Sequence, residues 1–219
     1  MTPVRQLGLE RELRRDAAEN LDRILDAARR SFDEDGFDVG MEKIAHRAGV
    51  GVGTIYRRFP TKDLLIEAIV NEVLVAIRDA AIVAVAEESP SQALREYLFS
   101  VGQLLYDHAG CLPRLWSIDD DAILEEIESM CRTMLARSQR DGVMRDDVVY
   151  EDIVTIFWSL QGVIERTATI TPNAWRRHLE LVLPSLSNPL VELETAPISV
   201  QQARRARRVM IIEGRTGIR

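Results

Sequence analysis

Cysteine is scarce in this 219-residue chain, which has two, Cys111 and Cys131. Two thiols are too few for a disulfide framework, and they suit a reducing compartment. The first residues lack the apolar segment of a secretory signal, and no apolar run reaches the ~18 residues that a transmembrane helix needs. We therefore expect a cytoplasmic protein that does not enter a membrane.

Patterns for catalysis are also missing. None of the three histidines belongs to a His-Glu-x-x-His or Glu-x-x-His motif, and there is no phosphate-binding loop or Gly-x-Ser-x-Gly elbow. His108 and Cys111 lie three residues apart, but a zinc site there would need Asp107 or Asp119 to complete its ligands. We expect no enzymatic activity, no metal and no cofactor.

Lysine is as scarce as cysteine, and the positions of the lysines indicate where a basic surface lies. The chain carries a net charge of −7, yet its two lysines, Lys43 and Lys62, both lie in a window, residues 41–62, with five basic side chains and one acidic. Residues 66–200 hold 22 acidic against 10 basic side chains, and residues 201–219 hold six arginines against one glutamate. Because salt limits electrostatic reach to roughly 8–10 Å, the acidic total does not exclude DNA binding by the basic window.

Helical periodicity is present nearly throughout, and strand patterns are essentially absent. Between residues 20 and 36, apolar side chains recur at the spacing of one helix face, and Gly36 is placed to end that helix. Pattern and cap signals predict an all-α fold of about nine helices. Later helices are expected at 62–86, where Thr61 is a good N-cap, and at 149–168 and 173–186. We divide the chain into residues 1–65, 66–200 and a basic tail, 201–219, which we expect to be unstructured.

Two short helices joined by a glycine turn at Gly49 form a helix-turn-helix pattern. The side chains expected to face inward are Ile44, Ala45, Ala48, Val50, Ile55 and Phe59. Since Ile55 and Phe59 face the core, Thr54 and Arg58 share the opposite face, next to Arg57. A solvated basic helix that binds nothing, or a surface that binds another protein, would show the same residues.

The stretch from residue 20 to 69 resembles the DNA-binding domain of TetR-family transcriptional regulators. The resemblance is carried by the pattern AGVxxGTxYxxFxxKxxL, in which Tyr56 and Lys62 are fixed members. It implies a homodimer whose reading helices enter the major grooves of a palindromic operator. The implied DNA contacts are Val52, Gly53, Thr54, Tyr56, Arg57, Arg58 and Lys62. Gly40 departs from the family, which often has a Thr or Ser there that caps the second helix and touches phosphate.

The same resemblance implies that residues 66–200 bind a small-molecule ligand and form the dimer. The aromatic and methionine side chains that we expect to line the ligand pocket are Tyr106, Trp116, Met130, Met134, Phe157 and Trp158. The helices at 149–168 and 173–186 are the expected dimer contacts, although their apolar stripes would equally complete the core of one subunit. The function implied is a repressor that a ligand releases from its operator.

Overall fold

The protein is built from helices alone wherever its structure is described. The computed structural model describes residues 3–115, 121–187 and 192–216, and these contain helices and turns but no strand. The predicted all-α class is therefore confirmed. No helix in these ranges is both long enough and apolar enough to cross a membrane.

The helices follow the predicted order. They are α1 (Pro3–Asp35), α2 (Met41–Ala48), α3 (Val52–Arg58), α4 (Lys62–Val85), α5 (Pro90–Asp107), α6 (Leu112–Leu115), α7 (Asp121–Arg140), α8 (Tyr150–Thr167), α9 (Ala174–Val182) and α10 (Val200–Thr216). Short 3-10 turns precede α6 at Ala109–Cys111 and follow α9 at Leu183–Leu186. The nine expected helices correspond to α1–α9.

The helices form two compact units, of which the first ends at Ile69 and the second begins at Val70. In the first unit, α1 packs against α2 and α2 against α3. Its core consists of fully buried side chains from each helix, among them Ile24, Phe32, Ile44, Ile55 and Leu65. Burial of this shared core stabilises α2 and α3, because helices of eight and seven residues are not stable alone in water.

Local signals set the boundaries in this unit. Gly36 and Gly49 both have positive φ angles, 72° and 66°, which glycine adopts without the steric cost that a Cβ adds. Gly49 ends α2, and its N–H donates to the His46 carbonyl at 3.1 Å. Thr61 caps α4 as expected, since its Oγ1 accepts a hydrogen bond from the Leu64 N–H at 3.3 Å.

Helix α5 is central to the second unit, where it packs against α7, α8 and α9. Gly102 on α5 allows a close approach of α9. A Cβ at residue 102 would lie 2.6 Å from Cε3 of Trp175 on α9, and closer still to Cζ3. Trp175 is buried to 2% exposure, so its indole fills the space that Gly102 leaves.

Two expectations for the end of the chain are wrong. The helix expected at 173–186 ends as an α-helix at Val182, and a 3-10 turn follows because Pro184 has no N–H to donate. The tail expected to be unstructured forms α10, which packs against α6 and α8. Its half-buried residues recur at helical spacing, at Ala203, Ala206, Arg207 and Met210. The number of arginines obscured this stripe in the sequence.

Candidate nucleic-acid interface

Helix α3 presents one buried and one exposed face, as its sequence predicts. Ile55 and Phe59 are buried at 0% and 6% exposure, and they attach the helix to the core of the first unit. Gly51 lies at the N-cap in an extended conformation, so the chain turns sharply into the helix. Of the other side chains predicted to face inward, Ile44, Ala45 and Ala48 are buried and Val50 is half-buried. The opposite face of α3 is therefore open to solvent.

Most of the predicted DNA contacts lie on that open face. Val52 and Tyr56 are 44% and 40% exposed, and Arg57 and Arg58 are also exposed. Gly53 is exposed as well, and a Cβ added there would meet no atom within 4 Å. The remaining two residues, Thr54 and Lys62, are half-buried.

The basic side chains around α3 differ in whether they have acidic partners. Lys43 Nζ lies 2.8 Å from Asp35 Oδ1, and Arg47 Nη2 lies 2.6 Å from Glu34 Oε2. The hydrogen bond from Lys43 lowers the pKa of Asp35. In contrast, neither Arg57 nor Arg58 has a hydrogen-bond or ion-pair partner within the described ranges. The positive charge that remains available to a ligand is thus concentrated at the end of α3.

Lys62 has partners within the protein. Its ammonium donates hydrogen bonds to two main-chain carbonyls of the loop between α1 and α2, those of Phe37 and Val39, the latter at 3.3 Å. These partners lie 25 and 23 residues away, so helical periodicity gave no sign of them. Lys62 therefore ties the start of α4 to the loop that precedes α2.

Tyr56 also has a partner that the sequence did not indicate. Its hydroxyl donates a hydrogen bond of 2.9 Å to Glu42 Oε1 in the first turn of α2. The Glu42 main-chain N–H and the Tyr56 hydroxyl both donate to this carboxylate and lower its pKa, and the same contact raises the pKa of Tyr56. Just before it, Gly40 occupies the N-cap of α2 with no side-chain hydrogen bond. One acidic side chain thus lies beside the exposed face of α3.

The predicted ligand residues lie on three helices of the second unit. Tyr106 on α5, Met130 on α7, and Phe157 and Trp158 on α8 are half-buried, whereas Met134 on α7 is fully buried. The Phe157 ring packs edge-on against Tyr97, with ring centroids 6.0 Å apart. The sixth residue of the prediction, Trp116, lies outside the described residues. Helices α5, α7 and α8 contact one another, so the five described residues lie on helices that pack together.

Two cavities in the described part of the second unit do not collect these side chains. A partly open cavity of about 210 Å³ lies where α5 begins and α7 ends, and is lined by residues that include Leu94, Arg95 and Met144. None of the five described ligand residues lines it. Met130 alone borders a second, shallow groove, together with Ile82 and Glu125. The pocket therefore remains a prediction from the sequence.

A family model and two solved structures that this chain matches are all of TetR-family regulators. The family model described as "Bacterial regulatory proteins, tetR family" matches residues 24–69. The crystal structure of a TetR transcription regulatory protein from Mycobacterium vanbaalenii is 34% identical, with a TM-score of 0.54, over 70% of this chain and 96% of that one. The TetR transcriptional regulator SCO0520 of Streptomyces coelicolor is 30% identical, with a TM-score of 0.54, over 78% of this chain and 99% of that one.

A curated relative matches over a shorter stretch. An HTH-type transcriptional regulator of Staphylococcus aureus (strain USA300) is 44% identical over 52 residues, which are 23% of this chain and 28% of the relative. The chain thus spans little more than a quarter of the length of that relative.

Proposed function

Because this chain belongs to the TetR family of bacterial regulatory proteins, we propose that it is a DNA-binding transcriptional regulator in the cytoplasm. In this proposal it represses transcription from a palindromic operator and leaves the operator when a small molecule binds. Residues 1–65 bind the DNA, and residues 66–200 bind the ligand and form the dimer. No catalytic step is part of this function.

The observation that carries the proposal is the exposed face of α3. Among the residues that the structure describes, Arg57 and Arg58 have no acidic partner there, in contrast to the paired Lys43 and Arg47. An arginine fork can bind the edge of guanine in the major groove or neutralise a phosphate. Gly53 leaves the backbone bare beside them, so DNA can approach the helix without meeting a side chain.

The proposed contacts divide into base and backbone contacts. Val52, Thr54, Arg57 and Arg58 present side chains that can reach base edges or phosphates, whereas Gly53 offers only its main chain. Tyr56 and Lys62 contact phosphates in this assignment, by exchanging their present partners, the Glu42 carboxylate and the loop carbonyls, for phosphate oxygens.

For the dimer we propose that α8 and α9 of two subunits form a four-helix interface. The two helices pack against each other within one chain. They also leave apolar side chains in solvent that a partner would cover: Leu181 on α9 is 63% exposed, and Ile170 just after α8 is 80% exposed. A palindromic operator requires two reading helices one helical turn of DNA apart, about 34–36 Å.

For the ligand we propose the region around Phe157 and Trp158, where α5, α7 and α8 meet. One buried donor on α8 supports a polar ligand group. The Trp158 indole Nε1 is buried and has no hydrogen-bond partner among the described residues. Buried donors without acceptors are rare in native proteins, so an acceptor on the ligand would satisfy it.

The test is selection of duplexes from a randomised pool by the purified full-length protein at two salt concentrations, with Arg58→Ala in parallel. We expect a palindromic site whose log affinity falls linearly with log salt. Arg58→Ala should bind more weakly and, if Arg58 reads a base, should lose preference at one position of each half-site. If the dimeric protein enriches no site, either alone or with candidate ligands present, the proposed function is wrong.

A further inference from the structure

The contact between Tyr56 and Glu42 lies on the surface that is proposed to meet DNA. Tyr56 is on the exposed face of α3, and Glu42 is in the first turn of α2. Both side chains are exposed, and the hydroxyl and carboxylate are joined by a hydrogen bond of 2.9 Å. The contact therefore links two helices at the surface without being part of the core.

The Glu42 carboxylate holds a donor of the kind that binds phosphate, the Tyr56 hydroxyl. Tyrosine hydroxyl groups are common partners of the DNA backbone. A tyrosine hydroxyl has a single proton to donate, so it cannot donate to a carboxylate and to a phosphate at the same time.

We propose that Glu42 is an internal competitor of the DNA backbone, occupying the Tyr56 hydroxyl in the free protein until a phosphate displaces it. The proposal rests on the proposed DNA-binding function and deepens it by naming a residue that lowers operator affinity. Glu42 acts on the phosphate contact and not on a base contact. Its effect is therefore the same for every DNA sequence.

The size of the effect follows from the exposure of the pair. Exposed polar contacts of this kind contribute little, and their loss corresponds to a change of about two- to fivefold in an equilibrium constant. Removing the carboxylate should thus tighten DNA binding by about two- to fivefold, provided that Tyr56 then donates to phosphate.

The experiment measures the dissociation constant of the full-length protein for a duplex from the selection above, at one fixed salt concentration. The variants are Glu42→Ala, Tyr56→Phe and the double substitution, with Glu42→Gln as a second variant should alanine impair folding. Asp146→Asn, an exposed carboxylate in the second unit, controls for the change in net charge.

We expect Glu42→Ala to bind two- to fivefold more tightly, Tyr56→Phe to bind more weakly, and Asp146→Asn to equal the wild type. On the Tyr56→Phe background, Glu42→Ala should bring almost no gain, because no hydroxyl is left to release.

Three outcomes overturn the proposal. If Glu42→Ala binds as the wild type does or more weakly, Glu42 does not compete with phosphate and instead holds Tyr56 in place. If Glu42→Ala tightens DNA binding equally with and without the Tyr56 hydroxyl, the gain comes only from removing the negative charge of Glu42. If the selection enriches no duplex, the DNA-binding function is wrong and this proposal falls with it.

Discussion

Replacing Gly102 by alanine should destabilise the second unit, although alanine is the better helix former. Gly102 lies inside α5, where a Cβ would come within 2.6 Å of Trp175 Cε3. Carbon atoms pack best at about 3.5–4.0 Å, so about 1 Å of extra space would have to open. The indole is buried at 2% exposure, with the Arg176 guanidinium 4.4 Å from its ring centroid and the Phe99 ring beside it.

The magnitude is a difference between two effects. Overpacking of a filled core costs about 1–3 kcal/mol, whereas exchanging glycine for alanine inside a helix contributes up to about 1 kcal/mol of stability. We expect a net loss of about 1–2 kcal/mol, which lowers the melting temperature by about 2–8 °C in a chain of this size. Thermal and urea unfolding, followed by circular dichroism at one fixed protein concentration, measure both quantities.

A matched control is available in α8. A Cβ at Gly162 would meet only Arg166 Nη1, at 3.5 Å, so Gly162→Ala should stabilise by up to about 1 kcal/mol. In the double variant Gly102→Ala with Trp175→Phe, the smaller ring should recover part of the loss, so the two substitutions should not be additive. Equal stability of Gly102→Ala and the wild type would refute this account of the contact between α5 and α9.

Three other substitutions or conditions test separate parts of the structure. Lys62→Ala removes the donor to two loop carbonyls and should lower the free energy of unfolding by about 1–2 kcal/mol, with faster amide exchange in the loop before α2. Arg132→Ala leaves the Glu151 carboxylate, 2.8 Å away and 6% exposed, without its cation, and should cost about 1–3 kcal/mol in urea unfolding. Burial raises the pKa of Cys131 from 9.0 to about 12, so peptide-level mass spectrometry should find this thiol unlabelled by iodoacetamide at pH 8 in the native protein. The unfolded chain releases that proton first, so stability should fall as the pH rises from 9 towards 12.

The parts of the fold that were predictable are those governed by neighbours along the chain. Gly36 and Gly49 end helices because a left-handed residue is needed there, and Thr61 caps α4 through a contact three residues away. Helix α10 was missed because the basic side chains between its half-buried positions resemble a solvated tail. The half-buried side chains of α10 indicate a packed helix only once α6 and α8 are known to lie against them.

The sequence predicted which side chains of α3 are buried and which are exposed, but not which residues they hydrogen-bond to. Periodicity correctly placed Ile55 and Phe59 inside, and hence Arg58 outside. It could not show that Tyr56 meets Glu42, 14 residues away, because that distance depends on how α2 and α3 cross. The ligand pocket is harder to predict than the α3 surface, because a cavity depends on the spaces left between packed helices. Helical periodicity in the sequence does not report those spaces.

Three polar contacts connect segments of the first unit: Arg47 with Glu34 between α1 and α2, Tyr56 with Glu42 between α2 and α3, and Lys62 at the start of α4 with the loop before α2. Together with the shared apolar core, they hold α3 in place before any DNA is present. A reading helix that is already folded need not be ordered on binding, so the entropic cost of coupled folding is absent. Calorimetry of the complex should therefore give a heat-capacity change that reflects the surface buried between protein and DNA, without the larger negative value that folding of a segment would add.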